Sequence, residues 1–265
     1  MSYLFDLILN LIDFFYRKKI INFFKKNMDS NMQLLLDIGS HKGETIKIFL
    51  KNFNIKNIYS FEASASNYAI LKNNITKIKK KYINCNINIF NIGIGNSNAE
   101  KIFYDLSDSN SSTFNTINKD SSYFKRKNKV LSFFFKKDFF VKENLVKQVR
   151  LFDFINKNKL GKIDILKIDT EGYELEVLKG LEDKINDIKF IYFEHHYDNM
   201  IEKNYKFSDI HDLLTSKGFN KSFKIRMPFR KSFDYIYKKK NCINTYEKKN
   251  SLDIWSYWTR WIISS

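Results

Sequence analysis

Short apolar runs alternate with amphipathic segments along most of the chain, from residue 32 to residue 238. The apolar runs predict buried strands, and segments whose apolar residues recur every three or four positions predict helices. Strands that alternate with helices predict an α/β fold, with a seven-stranded, mostly parallel sheet and helices on both faces. The last two strands have no helix between them, which predicts a hairpin at one edge. The predicted strands are 32–38, 57–61, 86–92, 162–168, 189–193, 219–225 and 232–238, and the predicted helices between them are 44–51, 66–80, 174–181 and 207–217.

The first 30 residues have a different pattern. Apolar residues such as Leu4, Leu7 and Leu11 recur at helical spacing, and basic residues follow from Arg17 onwards, so residues 2–27 predict an amphipathic helix. Such a helix packs on its own domain or on a second copy of the chain, or it lies on an anionic membrane surface. We favour packing, because apolar stripes of this kind are usually buried.

Two further regions interrupt the alternation. Residues 97–148 form a long insertion within a domain that spans 31–240, and such an insertion is typical of a lid or a substrate loop. Residues 241–265 hold all three tryptophans, spaced three apart, and predict a helix with one aromatic stripe. That stripe fits docking on the domain, an oligomer contact or an anchor at a membrane interface.

Composition limits the class of protein. Hydrophobic residues make up 43% of the 265 residues, which allows a sizeable core and argues against disorder. The formal net charge of +17 raises nucleic acid, a membrane surface or an anionic substrate as partners. The basic residues are spread along the chain, however. This favours the coding bias of an AT-rich genome as the cause of the charge, over a basic stripe that binds nucleic acid. Two distant cysteines, no membrane span and no signal peptide predict a cytoplasmic protein, with peripheral membrane contact through the terminal helices and homo-oligomerisation left open.

The first predicted strand ends in a glycine-containing loop. Asp37 closes the strand, Gly39 allows a ligand to approach the backbone closely, and Gly43 precedes the next helix. Ser40 and His41 lie between the two glycines. The dinucleotide fingerprint GxGxxG needs one more glycine than this loop has, which disfavours a pyrophosphate cradle. The loop therefore predicts a ligand crevice of another kind.

The ends of the next two strands indicate a nucleoside. Glu62 ends its strand about twenty residues after the glycine loop, where a carboxylate accepts hydrogen bonds from both ribose hydroxyls. The third strand ends in Asn91, Ile92 and Gly93. We predict that an adenine edge lies there, against the backbone and the Asn91 side chain.

Carboxylates and histidines gather at the ends of the fourth and fifth strands. Lys167 lies inside an apolar strand, which is costly without a partner. Clustered carboxylates at the mouth of a sheet favour a functional site, and histidine is the usual general base near neutral pH. Such ligands suit a divalent ion, but no spacing is diagnostic of a metal site and none is assigned. The residues at these two strand ends are Asp169, Glu171, Glu194, His195 and His196.

Five motifs together resemble those of the FkbM-type methyltransferases. The resemblance spans about residues 32–240, and its most specific part is Lys-Ile-Asp-x-Glu-Gly. It implies a class I methyltransferase (Rossmann-like) fold, with N- and C-terminal helices outside the match, and S-adenosyl-L-methionine as cofactor. The motifs are Asp37–Gly43, Phe61–Glu62, Gly93–Asn96, Val149–Ile155 and Ile165–Glu174.

The resemblance also implies roles for single residues. The glycine loop flanks the methionine part of the cofactor, Glu62 holds the ribose, and Asp169 and Glu171 line the reaction centre. We predict that Asp169 orients the acceptor or the cofactor, that His195 or His196 acts as base, and that Glu194 contacts the substrate, as Glu171 also does. The predicted cofactor-binding residues are Asp37, Gly39, Ser40, His41, Gly43, Glu62, Asn91, Ile92, Gly93 and Asp169, and the predicted catalytic residues are Asp169, Glu171, Glu194, His195 and His196.

The family usually implies O-methylation of sugars or other small hydroxylated metabolites, in a setting such as surface-glycan biosynthesis. Basic residues in 123–142 and in 224–230 favour an anionic acceptor, such as a phosphorylated or nucleotide-linked sugar. Three other classes stay open. The charge allows a nucleic-acid methyltransferase, although Pro228 is the only proline and the Pro-Pro turn often used for flipped bases is missing. The others are a nicotinamide oxidoreductase and a non-catalytic scaffold at a membrane surface.

Overall fold

The computed structural model describes residues 2–106, 111–135, 141–228 and 230–240. The predicted aromatic helix at 241–265 lies outside these residues. The helices are α1 (Ser2–Asn27), α2 (Glu44–Asn52), α3 (Ala65–Lys81), α4 (Ser122–Phe135), α5 (Leu151–Lys157), α6 (Glu174–Lys179) and α7 (Phe207–Ser216). The strands are β1 (Asn31–Ile38), β2 (Asn54–Phe61), β3 (Asn86–Phe90), β4 (Gly93–Gly95), β5 (Ala99–Leu106), β6 (Val141–Arg150), β7 (Ile163–Ile168), β8 (Ile188–His196), β9 (Phe219–Arg226) and β10 (Ser232–Lys239).

Seven strands form the main sheet in the order β3-β2-β1-β7-β8-β10-β9. The first five in this order run parallel, and β10 pairs antiparallel with both β8 and β9. The predicted mostly parallel sheet with an edge hairpin is therefore confirmed. Its strand order reverses between β1 and β7, which is the place where open α/β sheets form a crevice beyond the strand ends.

Helices cover both faces of the sheet, because its central strands are apolar on both sides. In β1, Leu34 and Leu36 belong to the core cluster that includes α5, α6 and α7. Leu35, between them, belongs to the cluster that includes α1, α2 and α3. Since alternate residues of a strand point to opposite faces, Asp37 lies on the α1 side.

Much of the inserted stretch folds into a second sheet, in the order β4-β6-β5. β6 pairs antiparallel with β5 and parallel with β4. The single strand predicted over 86–92 is wrong at its end. The main-sheet strand stops at Phe90, and the chain enters the second sheet at Gly93.

The N-terminal helix packs against the domain. Tyr16, Ile20, Ile21 and Phe24 are buried on the α1 side of the sheet, and the Phe24 ring contacts rings from α2 and β8. The opposite side of the helix is exposed at Leu11, Phe14 and Phe15. No helix in the described part of the chain is long and apolar enough to cross a membrane.

Candidate active site

A cavity of about 380 Å³ lies at the carboxyl edge of the main sheet. Its walls come from the ends of β1, β2, β7 and β8, from α1 and α2, from the inserted stretch and from the β9–β10 loop. Among the described residues, the cavity brings together the predicted Gly39, Ser40, His41, Glu62, Ile92, Gly93, Asp169, Glu171 and Glu194. The predicted residues outside its lining are Asp37, Gly43, Asn91, His195 and His196.

Gly39 lies where two loops touch. Its φ of +76° is in the left-handed region, and a Cβ atom built on it would lie 1.8 Å from the carbonyl oxygen of Asp169. The Gly39 amide donates to the carbonyl oxygen of Phe61, and the Asp169 amide donates to that of Ile38, both at 2.9 Å. The glycine therefore allows the loops after β1, β2 and β7 to converge on one point.

We expect Gly39→Ala to lower the free energy of unfolding by at least about 2 kcal/mol, because the new methyl group meets backbone in a strained conformation. Urea unfolding followed by circular dichroism measures the loss. Gly161→Ala is the matched control, since nothing lies within 4 Å of its Cβ position. Equal stability of the two variants would contradict the close approach at Gly39.

Glu62 is buried at the end of β2 with its carboxylate at the cavity. Its two oxygens accept hydrogen bonds from the amides of His41 at 2.7 Å and Ser64 at 2.9 Å. Burial raises the pKa of Glu62 to about 7, and the two amides oppose that rise. Each oxygen keeps a free lone pair, so the carboxylate can still accept bonds from two ligand hydroxyls.

Two predicted cofactor residues support the walls instead of forming them. The Asn91 side chain donates to the carbonyl oxygens of Glu62 at 2.8 Å and Ala63 at 3.2 Å. It joins the ends of β2 and β3 and lies outside the cavity lining, whereas Ile92 and Gly93 line the cavity, so the adenine contact of the Asn91 side chain stays a prediction. Gly43 caps α2 with a φ of +89°.

Lys167 is buried on the α1 side of the sheet between two carboxylates. Its Nζ lies 3.1 Å from Oδ2 of Asp169 and 3.6 Å from Oδ1 of Asp37. Burial would lower the pKa of Lys167, but the charges of Asp169 and Asp37 raise it above its usual value. The lysine in turn lowers the pKa of Asp169 against the effect of burial. Asp37, fully buried, keeps a pKa raised to about 6, chiefly by burial.

His196, Glu171 and Glu194 form a buried charged cluster at the end of β8. His196 Nε2 lies 2.9 Å from Glu171 Oε2 and 3.2 Å from Glu194 Oε1, and these atoms make no hydrogen bond of regular geometry. Burial alone would lower the pKa of His196, but Glu171 and Glu194 raise it well above its usual value. Burial is the main reason that the pKa of Glu194 rises to about 8. His196 is therefore cationic near neutral pH, and Glu194, once it loses its proton as the pH approaches 8, is the better proton acceptor of the two.

His195 points to the other face of the sheet from Glu194 and His196. Its ring packs against Tyr197, Tyr205 and Phe207, with centroids 4.8 to 5.8 Å apart. Burial lowers the pKa of His195 to about 3. The structure thus contradicts the choice of His195 as base, because adjacent residues of a strand cannot face the same side.

Glu174 holds the loop after β7 in place, a role that the sequence did not reveal. Its Oε1 accepts bonds from the amides of Thr170 at 3.2 Å and Gly172 at 2.9 Å, and its Oε2 accepts one from Tyr205. The loop needs this support because Glu171 has a positive φ of 51°. Glu174 thereby positions Glu171 on the cavity wall.

Further parts of the wall come from residues for which no role in the site was predicted from the sequence. Phe103, Ser112 and Phe114 line the cavity from the inserted stretch. Asp13 and Arg17 line it from α1, where their spacing of four residues was the available signal. In the described part of the chain, no group of three or more His, Cys, Asp and Glu side chains has the geometry of a metal site.

Similarity to one solved structure supports the fold, and two others are less similar. The FkbM methyltransferase of Methylobacillus flagellatus KT is 15% identical with a TM-score of 0.50, and the match covers 78% of this chain and 44% of that one. TrmK of M. capricolum in complex with S-adenosyl-homocysteine is 11% identical (TM-score 0.46; 83% and 67% covered). Magnesium protoporphyrin IX methyltransferase of Synechocystis PCC 6803 with bound SAM is 10% identical (TM-score 0.45; 84% and 77% covered).

The sequence itself gives the family. A search of curated proteins finds no significant match. The model of the methyltransferase FkbM domain matches residues 37–221, which is well over half of the chain and includes the glycine loop, Glu62, Asp169 and Glu194. The chain spans less than half of the length of the M. flagellatus protein. It belongs to the family of the methyltransferase FkbM domain.

Proposed function

We propose that this protein transfers a methyl group from S-adenosylmethionine to a hydroxyl of a small acceptor, such as a sugar, a nucleotide sugar or another phosphorylated metabolite. One observation carries the proposal: a single cavity joins the Gly39 loop and Glu62 to the partly buried Asp169 and the buried carboxylates of Glu171 and Glu194. Its volume of about 380 Å³ is that of a small-molecule site.

The wall residues fit the cofactor. Glu62 would accept bonds from the ribose hydroxyls, Ile92 and Gly93 would lie along the adenine, and the Gly39 loop would flank the methionine part. When bound, the cofactor supplies an electrophilic methyl group on a sulfonium cation. Acidic wall residues outnumber lysine and arginine by six to three, which favours such a cation. The acidic residues are Asp13, Glu44, Glu62, Asp169, Glu171 and Glu194, and the basic ones are Arg17, Lys167 and Arg230.

Glu194 is the proposed base. A neutral hydroxyl is a weak nucleophile and must lose its proton as its oxygen attacks the methyl carbon, whereas a neutral amine is nucleophilic enough to attack first and to lose its proton afterwards. Glu194 is buried at the cavity, and its pKa near 8 suits it to accept that proton. His196, held beside it as a cation, stabilises the carboxylate and acts as a positioning residue. A buried proton acceptor therefore favours O-methylation.

Arg230 supports an anionic acceptor. It lines the cavity, and the charges of Glu171, Glu194 and Asp169 raise its pKa although burial lowers it. A guanidinium beside the proposed base can bind phosphate in a bidentate manner and bring a neighbouring hydroxyl to Glu194. A role in surface-glycan biosynthesis rests on the family resemblance.

A screen with methyl-labelled S-adenosylmethionine tests the proposal. The purified chain is incubated with neutral sugars, nucleotide sugars, phosphorylated metabolites and RNA oligonucleotides, and labelled products are identified by mass spectrometry. We expect transfer to an oxygen of a nucleotide sugar or a phosphorylated metabolite. Transfer to RNA alone, or to nitrogen, would contradict the proposal.

Glu62 makes cofactor affinity depend on pH. Ribose hydroxyls that donate to the carboxylate favour its charged form, so binding lowers the pKa of about 7 and releases a proton. We therefore expect the affinity for S-adenosylhomocysteine to rise from pH 6 to pH 8. Titration calorimetry of the wild type and Glu62→Gln at both values measures this. The variant is expected to bind more weakly and to lose most of the pH dependence; an unchanged pH dependence would assign the proton to another group.

A further inference from the structure

An ion pair from α1 lines the cavity, and it lies outside the region that matches the family. Arg17 Nε donates to Asp13 Oδ2 at 2.6 Å. Both residues are wall residues, although α1 precedes the matched range of 37–221. Residues four apart share one face of a helix, so the two charges are presented together.

The packing of α1 fixes where this pair lies. Tyr16, between Asp13 and Arg17 in the sequence, is buried, and its hydroxyl donates to Oδ2 of Asp234 at 2.6 Å. Tyr192 donates to the same oxygen at 2.8 Å. This bond ties the middle of α1 to strands β8 and β10, one turn from the cavity wall. The packing of Tyr16 therefore holds the pair at the cavity, where the side chains of Arg17 and Asp13 are 37% and 54% exposed.

The other lysine and arginine on the wall lie among the carboxylates of the reacting centre. Lys167 contacts Asp169, Asp37 and the carbonyl oxygen of Gly39. Arg230 lies in the field of Glu171, Glu194 and Asp169. Within the described part of the chain, Arg17 donates to Asp13 Oδ2 only through Nε, which leaves its terminal N–H groups and Asp13 Oδ1 for a ligand.

We propose that Asp13 and Arg17 bind the amino-acid end of the cofactor, with Arg17 donating to its carboxylate and Asp13 accepting from its ammonium group. This inference rests on the proposed function. Glu62 sets the nucleoside end of the site, and the acid cluster of Asp169, Glu171 and Glu194 sets the reacting centre. The amino-acid end carries one positive and one negative charge, and a wall that offers one carboxylate and one guanidinium side by side complements both.

Two ligands separate this role from a structural one. S-adenosylhomocysteine carries the amino-acid end, and 5′-methylthioadenosine has the same nucleoside and sulfur without it. Calorimetric titration of both ligands into the wild type, Arg17→Ala and Lys19→Ala gives the comparison. Lys19 is exposed on the same helix, is not on the cavity wall, and its substitution removes the same charge.

We expect Arg17→Ala to bind S-adenosylhomocysteine about 10- to 100-fold more weakly, the size of a charge-assisted hydrogen bond. Its affinity for methylthioadenosine should stay within about twofold, which also shows that the site is folded, and Lys19→Ala should match the wild type. An equal loss for both ligands, or no loss for either, would overturn the assignment. Failure of the wild type to bind S-adenosylhomocysteine would instead contradict the proposed function.

Discussion

Glu194→Gln is expected to lower the kcat of methyl transfer by about 10²- to 10⁴-fold, the usual contribution of a positioned general base. Glutamine keeps the shape of the side chain but cannot accept the hydroxyl proton. Glu194 lies at the end of β8 and is not part of the Gly39 loop or the Glu62 side of the cavity, which would hold the cofactor. The affinity for S-adenosylhomocysteine should therefore change little. In the wild type, kcat/KM should rise with pH up to about 8, as Glu194 loses its proton, and this rise should disappear in the variant.

Steady-state kinetics with the acceptor identified by the labelled screen measures this loss. Glu202→Gln removes the same charge at an exposed position outside the cavity and serves as the control. Near-wild-type kcat in Glu194→Gln would contradict the assigned base. A large rise in the acceptor KM with unchanged kcat would show that Glu194 only binds the acceptor.

Lys167→Met is expected to lower the free energy of unfolding by about 3–5 kcal/mol at pH 8, because it leaves the fully buried Asp37 and the partly buried Asp169 without their counter-charge. Without the lysine, the pKa values of Asp37 and Asp169 in the folded state should rise above those of the unfolded chain. A carboxyl group whose pKa is higher in the folded than in the unfolded chain adds stability at pH values below its unfolded pKa. This contribution is lost as the pH rises through the pKa of the folded state. The deficit of the variant should therefore be smaller at pH 5 than at pH 8.

Urea unfolding at the two pH values tests this. Lys189→Met is the matched control, since Lys189 pairs with Asp164 at 2.6 Å but is about half exposed. Asp164 also keeps bonds from the amides of Gln33 and Leu34, so the control should cost no more than about 1 kcal/mol. Equal losses in the two variants, or a deficit that grows toward pH 5, would contradict the role of Lys167.

The fold followed from local pattern because each central strand is buried on both faces. A continuous apolar run such as 32–38 has few alternatives once helices flank it, and carboxyl ends of parallel strands share one edge. That rule was enough to predict that Glu62, Asp169 and Glu194 lie at one edge of the sheet, where the structure has them in one cavity. The strand period of two also limits His195 and His196 to opposite faces, but it does not say which face holds the site.

Long-range packing decided what the pattern left open. Asp13 and Arg17 had the spacing of a helical ion pair, but their spacing does not say where the helix packs. The bond from Tyr16 to Asp234, 218 residues away, holds α1 in the position where the two residues line the cavity. Asn91 had the polarity of an adenine contact, but the nearby carbonyl groups of the β2 loop take its amide. The end of β3 depends in the same way on a second sheet built from distant residues.

The binding of the cofactor to the Glu62 side of the cavity is the central claim, and calorimetric titration tests it most directly. S-adenosylhomocysteine and NAD are titrated separately into the wild type and into Glu62→Gln at pH 8. We expect the wild type to bind one S-adenosylhomocysteine per chain, the variant to bind it at least about tenfold more weakly, and neither protein to bind NAD. Binding of NAD without S-adenosylhomocysteine, or equal binding of S-adenosylhomocysteine by both proteins, would contradict it.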